Sequence, residues 1–274
     1  MLFALTIFSS CNNQAEKATE EKAESKELES SPQEMLSQAY QLFKEGDDEG
    51  SIKLANQVLE IGRERQNDTL IGRALTSLCR NSQRKLDTTR LAELSEELSK
   101  LAASSSNKQW LMYRAHMNAE MWRLIGNMER AEAFYEESMQ ISFETGAMGM
   151  YTIDHFNKSF VSITKGDFDT ARTLIRKYYQ LRKEADPAAA EDAYGLIALA
   201  YLLEQEKNYR GAHEVALVTR RLFKEQNLFP EPPDEKPLLL VEEKVKEELE
   251  PAVLEGIFTE ASDKSVGFLL EKYL

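Results

Sequence analysis

Small and apolar residues recur along this chain in four columns spaced roughly 40 positions apart. The first column holds Ser51, Leu91, Ala131, Ala171 and Ala212. Three residues further on stand Leu54, Leu94, Phe134, Leu174 and Val215, and ten further on Ile61, Leu101, Ile141, Leu181 and Leu222. Twelve residues before the first column the positions are small: Ala39, Cys79, Ala119, Ser159 and Ala200. A polar turn separates the halves of each unit, as in Gly46-Asp47, Gly126-Asn127 and Gly166-Asp167. After the turn, apolar residues at +3, +7 and +10 trace one face of a helix of 3.6-residue period. Each unit therefore predicts two helices. The glycine ends the first with positive φ, and the Asp or Asn caps the second. The small column lets the two approach closely. A unit that repeats in this way buries its apolar face by stacking, so the pattern predicts a solenoid.

The alanine a few residues after a Gly-Asp-Phe turn, seen in Gly166-Asp167-Phe168-Asp169-Thr170-Ala171, resembles the tetratricopeptide repeat. Repeats three and four carry the likeness best. Repeat two departs from it, with Leu86 at the turn glycine and Leu91 at the alanine. The resemblance implies an all-α, right-handed solenoid of about five helix-turn-helix repeats, at about 32–66, 67–106, 107–146, 147–186 and 187–229. The period exceeds the usual 34 residues and implies longer helices; HEAT-type repeats share that length, but the small columns and the turn favour the tetratricopeptide form. Ser31-Pro32-Gln33-Glu34 reads as a capping box opening the array, and Asp186-Pro187 as a helix start ahead of repeat five. Residues 230–237, with four prolines, read as a linker. Residues 238–274 read as helices that cap the last repeat or dock a partner.

The first residues carry a separate signal. Met1 to Ser10 form a short apolar run ending in small residues before Cys11, which resembles a bacterial lipoprotein signal at 1–11 with Cys11 as the lipidated residue. No Lys or Arg precedes the run, and Phe8 stands where such signals usually have Leu. Residues 12–31 are rich in Glu, Lys, Ala and Ser without apolar periodicity and read as a charged tether, about 25 Å root-mean-square for a 20-residue coil. No stretch of about 18 apolar residues exists to span a bilayer.

The net charge is −13, which speaks against nucleic-acid binding. The charge is uneven. Residues 12–34 hold seven Glu and three Lys, and residues 231–251 hold eight acids and three Lys, so the flanks supply −4 and −5. Residues 63–90 are the reverse, with seven basic and three acidic side chains.

Catalytic motifs are missing: the three histidines have no metal-ligand spacing, and there is neither a phosphate loop nor a nucleophile elbow. The sequence thus points to a non-enzymatic protein that needs no cofactor or metal. In tetratricopeptide arrays the first helix of each repeat lines the concave groove, which implies groove positions here by register. In repeat two these include Arg73, Arg80 and Arg84, seven and four residues apart on one helical face, with Arg123 equivalent in repeat three. Guanidinium groups suit carboxylates, so the ligand is expected to be a protein or peptide with an acidic segment or terminal carboxylate. Repeats three to five place Tyr113, His116, Phe156, Phe160, Tyr194 and Tyr201 in the groove, as anchors for an apolar or helical segment or as inter-repeat core. The expected protein is an envelope-tethered interaction scaffold, held to a membrane by lipid alone. The alternative is a soluble cytoplasmic regulator of the same fold.

Overall fold

The computed structural model describes residues 30–105, 107–187 and 191–274; Cys11 and the expected signal and most of the tether lie outside them. Thirteen α-helices and no strand occur among the described residues. They run as pairs: α1 (Pro32–Glu45) with α2 (Asp48–Glu64), α3 (Asp68–Arg84) with α4 (Thr88–Ser104), and α5 (Lys108–Ile125) with α6 (Met128–Thr145). Next come α7 (Met148–Lys165) with α8 (Phe168–Ala185), and α9 (Ala193–Gln205) with α10 (Tyr209–Glu225). Each helix packs on the next, and α1, α3, α5, α7 and α9 also contact in series, so the array is a solenoid with these helices along one wall. Three helices follow: α11 (Pro232–Glu248), α12 (Pro251–Ala261) and α13 (Val266–Tyr273).

The turns explain why the helices stop and start where they do. Gly46, Gly126 and Gly166 end α1, α5 and α7 with φ of 84°, 90° and 79°, the left-handed conformation that an amino acid with a Cβ resists. Behind them the side chains of Asp47, Asn127 and Asp167 each accept a hydrogen bond from the backbone N–H three residues on, satisfying a donor that the helix itself leaves unpaired. Ser31 and Glu34 complete the reciprocal capping box at the start of α1.

The core follows the columns. Ser51, Leu91, Ala131, Ala171 and Ala212 are wholly buried, as are Ala39, Cys79, Ala119, Ser159 and Ala200. Burial pushes the Cys79 thiol up to about 12, which leaves it a protonated packing group. Apolar clusters follow one another along the array, from Ala55 to Met121, then around Tyr135, then from Phe156 to the C-terminus. The last cluster takes in Leu238, Val241 and Val245 of α11 and Val266 and Leu269 of α13. These helices pack on repeat five.

Two helix starts differ from the sequence reading. The α-helix of repeat five opens at Asp192, whose carboxylate accepts from the Tyr194 N–H, after 3₁₀ conformation at Pro187 and Glu191, while Asp186 ends α8 in extended backbone, as the residue before a proline favours. The linker expected at 230–237 is instead mostly helical. Pro232 and Pro233 occupy the first two positions of α11, where no N–H is missed, and Pro237 lies inside the helix.

Candidate functional site

The first helices of the repeats face a common hollow, and the start of α11 comes back across it. A cavity of about 540 Å³ lies between Tyr40 of α1, Arg80 of α3, His116 of α5, Asn157 of α7, Tyr194 of α9 and the segment Glu231–Asp234. A second cavity of about 240 Å³ adjoins it toward the N-terminal end, where Tyr40, Arg73, Ser77, Arg80, Gln109 and Tyr113 meet.

The arginines expected on this wall have different fates. Arg84 is fully engaged. It donates to Asp48 and to Glu231, each at 3.1 Å, and to the Phe43 carbonyl, and its guanidinium lies 3.4 Å from the Phe43 ring centre. Arg123 is also taken up. It donates to Glu120 at 2.7 Å and to the Tyr135 hydroxyl at 3.2 Å, with only 9% of its side chain exposed. Arg73 and Arg80 have no carboxylate partner among the described residues. Arg73 is exposed, and Arg80 lies 5.8 Å from the Tyr40 ring centre. Two cations seven residues apart on one helix stand about 10 Å from each other along its axis.

A buried polar network supports the middle of the wall. Glu120, wholly buried, accepts from Arg123, from Gln83 of α3 and from the Tyr135 hydroxyl of α6. Burial alone would raise its carboxyl, but the charges of Arg123 and His116 and the bonds from Arg123 and Tyr135 hold it below the ordinary range. His116 meets Asp154 of α7 at 2.7 Å through Nδ1, and Asp154 also accepts from Ser138 at 2.6 Å. Burial disfavours the imidazolium, but Asp154 and Glu120 outweigh it against the opposition of Arg80, so the pKa of His116 lies above its usual value. His155 turns instead to the Tyr151 carbonyl and pairs with neither. Among the described residues no cluster of three His, Cys, Asp or Glu is placed to hold a metal.

The aromatic positions divide as well. Phe156 and Phe160 are buried, 7% and 4% exposed, in edge-to-face contact with each other and packed on Tyr178 and Tyr201. They are inter-repeat core, so they do not stand free as anchors, although Phe156 also touches the larger cavity. Tyr113, Tyr194 and Tyr201 are half-buried. The Tyr194 hydroxyl donates to the Phe229 carbonyl at 3.3 Å.

Four groove residues were not found by register. Tyr40, 49% exposed, is the open aromatic of repeat one. Asn157, 7% exposed, lines the larger cavity with no side-chain hydrogen bond among the described residues. Glu231 and Asp234 arrive from the far end of the chain, and the one available signal was their acidic flank facing a basic repeat two. Burial raises the Asp234 carboxyl to about 7, Glu120 and Glu231 adding to the rise and Arg123 opposing it.

No protein-family model matches the chain, and no curated protein matches it. Its fold is similar to the crystal structure of the apo form of RapI, with a TM-score of 0.55 over 86% of this chain and 92% of that one, at 16% identity. At that identity the likeness carries the fold alone, an all-helical array of tetratricopeptide-like repeats. No helix among the described residues is long and apolar enough to cross a membrane.

Proposed function

We propose that this protein is a non-enzymatic interaction scaffold that takes an acidic segment of a protein partner against the concave wall of repeats one to three. The observation that carries the reading is the pair Arg73 and Arg80, two cations on one helical face without a described carboxylate partner, beside the open ring of Tyr40. Both guanidinium groups are free to form paired hydrogen bonds with carboxylates, and Tyr40 and Tyr113 supply apolar area between them. Arg84 and Arg123 hold the wall together and are not part of the free surface. A peptide library displayed against the full chain should return acidic sequences, and the doubly reversed variant Arg73→Glu/Arg80→Glu should lose them. Selected peptides without carboxylates, or binding that survives the reversal, overturn the reading.

The same protein is proposed to be tethered to a bacterial envelope membrane through Cys11, on the strength of the run Met1–Cys11 and the charged stretch that follows. A single acyl chain binds a membrane only marginally, at roughly 10⁴ M⁻¹, so the anchor needs two or more. The mass of the mature N-terminal peptide from the native host tests this. A chain beginning at an acylated Cys11 supports the tether; one retaining an unmodified Met1 overturns it and favours the soluble regulator.

A further inference from the structure

The segment between α10 and α11 crosses the hollow from repeat five to repeat two. It leaves Leu228 41% and Phe229 81% exposed, then runs Pro230-Glu231 into α11, with Glu231 at φ −70° and ψ 154°. Those angles are those of the extended polyproline helix. From there Glu231 reaches Arg84 of repeat two, 147 residues earlier in the chain, at 3.1 Å. The Phe229 carbonyl is held by Tyr194 of repeat five. The segment thus crosses with polar contacts to Tyr194 and Arg84 and with Pro233 buried at its end, and leaves about 540 Å³ beneath it, where the Asn157 amide lacks a described partner.

We infer that Phe229–Glu231 is an internal occupant of the arginine wall, standing where an extended, acidic, proline-bearing segment of a partner docks. The inference rests on the acidic-segment reading above and deepens it. The internal segment pairs with Arg84 alone of the three arginines, leaving Arg73 and Arg80 open. From Arg73 to Arg84 the helix rises about 17 Å, which an extended segment spans with about six residues at ~3.1 Å each. A partner of that length engages all three guanidinium groups and offers a polar atom to Asn157, and so displaces the internal segment. Glu231 then opens with its loop, while α11 stays seated on α9 and α10.

The probe is a fluorescein-labelled peptide copying residues 228–235, followed by anisotropy against the full chain. Glu231→Gln should bind it roughly tenfold tighter than the wild type, because the open fraction of the groove rises. Arg80→Glu in the same background should undo the gain. Saturating probe should also speed amide exchange at Asp234 and Glu235 in the wild-type chain, whose N–H groups each donate to the Glu231 carbonyl at 2.8 Å. Equal affinity of wild type and Glu231→Gln, with exchange at these amides unchanged, overturns the inference. If that result comes with Arg80-dependent binding of an octaglutamate peptide, the acidic-segment reading survives it. If neither peptide binds either protein, both readings fall.

Discussion

At the turn inside repeat two, Leu86 takes φ 54°, and at the turn inside repeat five Lys207 takes φ 63°. Both sit where Gly46, Gly126 and Gly166 sit in the other repeats, so the geometry is kept where the residue suited to it is not. The left-handed region costs a residue with a Cβ about 1–2 kcal/mol, whereas glycine gives up about 0.5–1 kcal/mol of chain entropy on folding. The difference favours glycine. Leu86 is 42% exposed, so shortening it sacrifices little apolar burial. Leu86→Gly should therefore stabilise the array by up to about 1 kcal/mol, while Gly126→Ala should destabilise it by about 1 kcal/mol. A Cβ at Gly126 would meet no atom within 4 Å, so its cost is backbone strain alone. Paired thermal melts check the sign, and a shift in the same direction for both would rule out the turn explanation. The same turn shows what register can and cannot disclose. It aligned Leu86 with the glycines and Arg84 and Arg123 with the groove. It did not disclose that Asp48, Glu231 and Glu120 would already hold those arginines, because ion pairs across repeats depend on side chains some 36 or more positions away, or on a helical neighbour that reads first as a solvated acid.

At the level of the helix, the columns were legible because stacking imposes the same burial at the same phase five times. Ala119 and Ala131 are buried for the reason that Ala39 and Ser51 are. Helix ends near proline were less legible. Pro237 reads as a breaker, yet it sits in α11 with Pro232 and Pro233 at the start, because burial of Leu238, Val241 and Val245 on repeat five outweighs one missing backbone bond. The C-terminal helices cover the last apolar face of the solenoid, which a repeat array otherwise leaves open. Leu269 of α13 is wholly buried there, and Phe268 beside it is 40% exposed. Leu269→Ala should thus cost about 2–5 kcal/mol, and Phe268→Ala should cost well under half of that, measured as denaturant midpoints on the monomeric chain. Should Leu269→Ala leave the midpoint in place and change self-association instead, α13 is a docking element.

On the scale of the whole molecule, the solenoid does not simply run from one end to the other. Its C-terminal flank returns to repeat two and closes the hollow, a contact between residues 147 apart that no local period encodes. What the sequence did hold was the charge pattern, a basic repeat two and an acidic flank. The closure places Asp234 near Glu120 and Arg123 of α5, Glu231 at the cap of its own helix, and Tyr194 of α9. Its carboxyl rises to about 7 there, against about 3.9 in an unfolded chain. The folded state therefore prefers Asp234 protonated. That contribution to stability is complete below about pH 3.9 and is lost as pH rises through about 7. Asparagine in its place is neutral throughout and nearly the same shape. Asp234→Asn should match the wild type near pH 4 and gain on it steadily between pH 5 and pH 8, in denaturant midpoints taken side by side. His116, whose pKa is also raised, loses its contribution with rising pH in both proteins and so cancels in the difference. If attraction to Arg123 governed the site instead of burial and the two neighbouring acids, the asparagine variant would fall behind as the pH rose. The slope of that difference thus reports whether the returning flank brings a charge that the hollow resists.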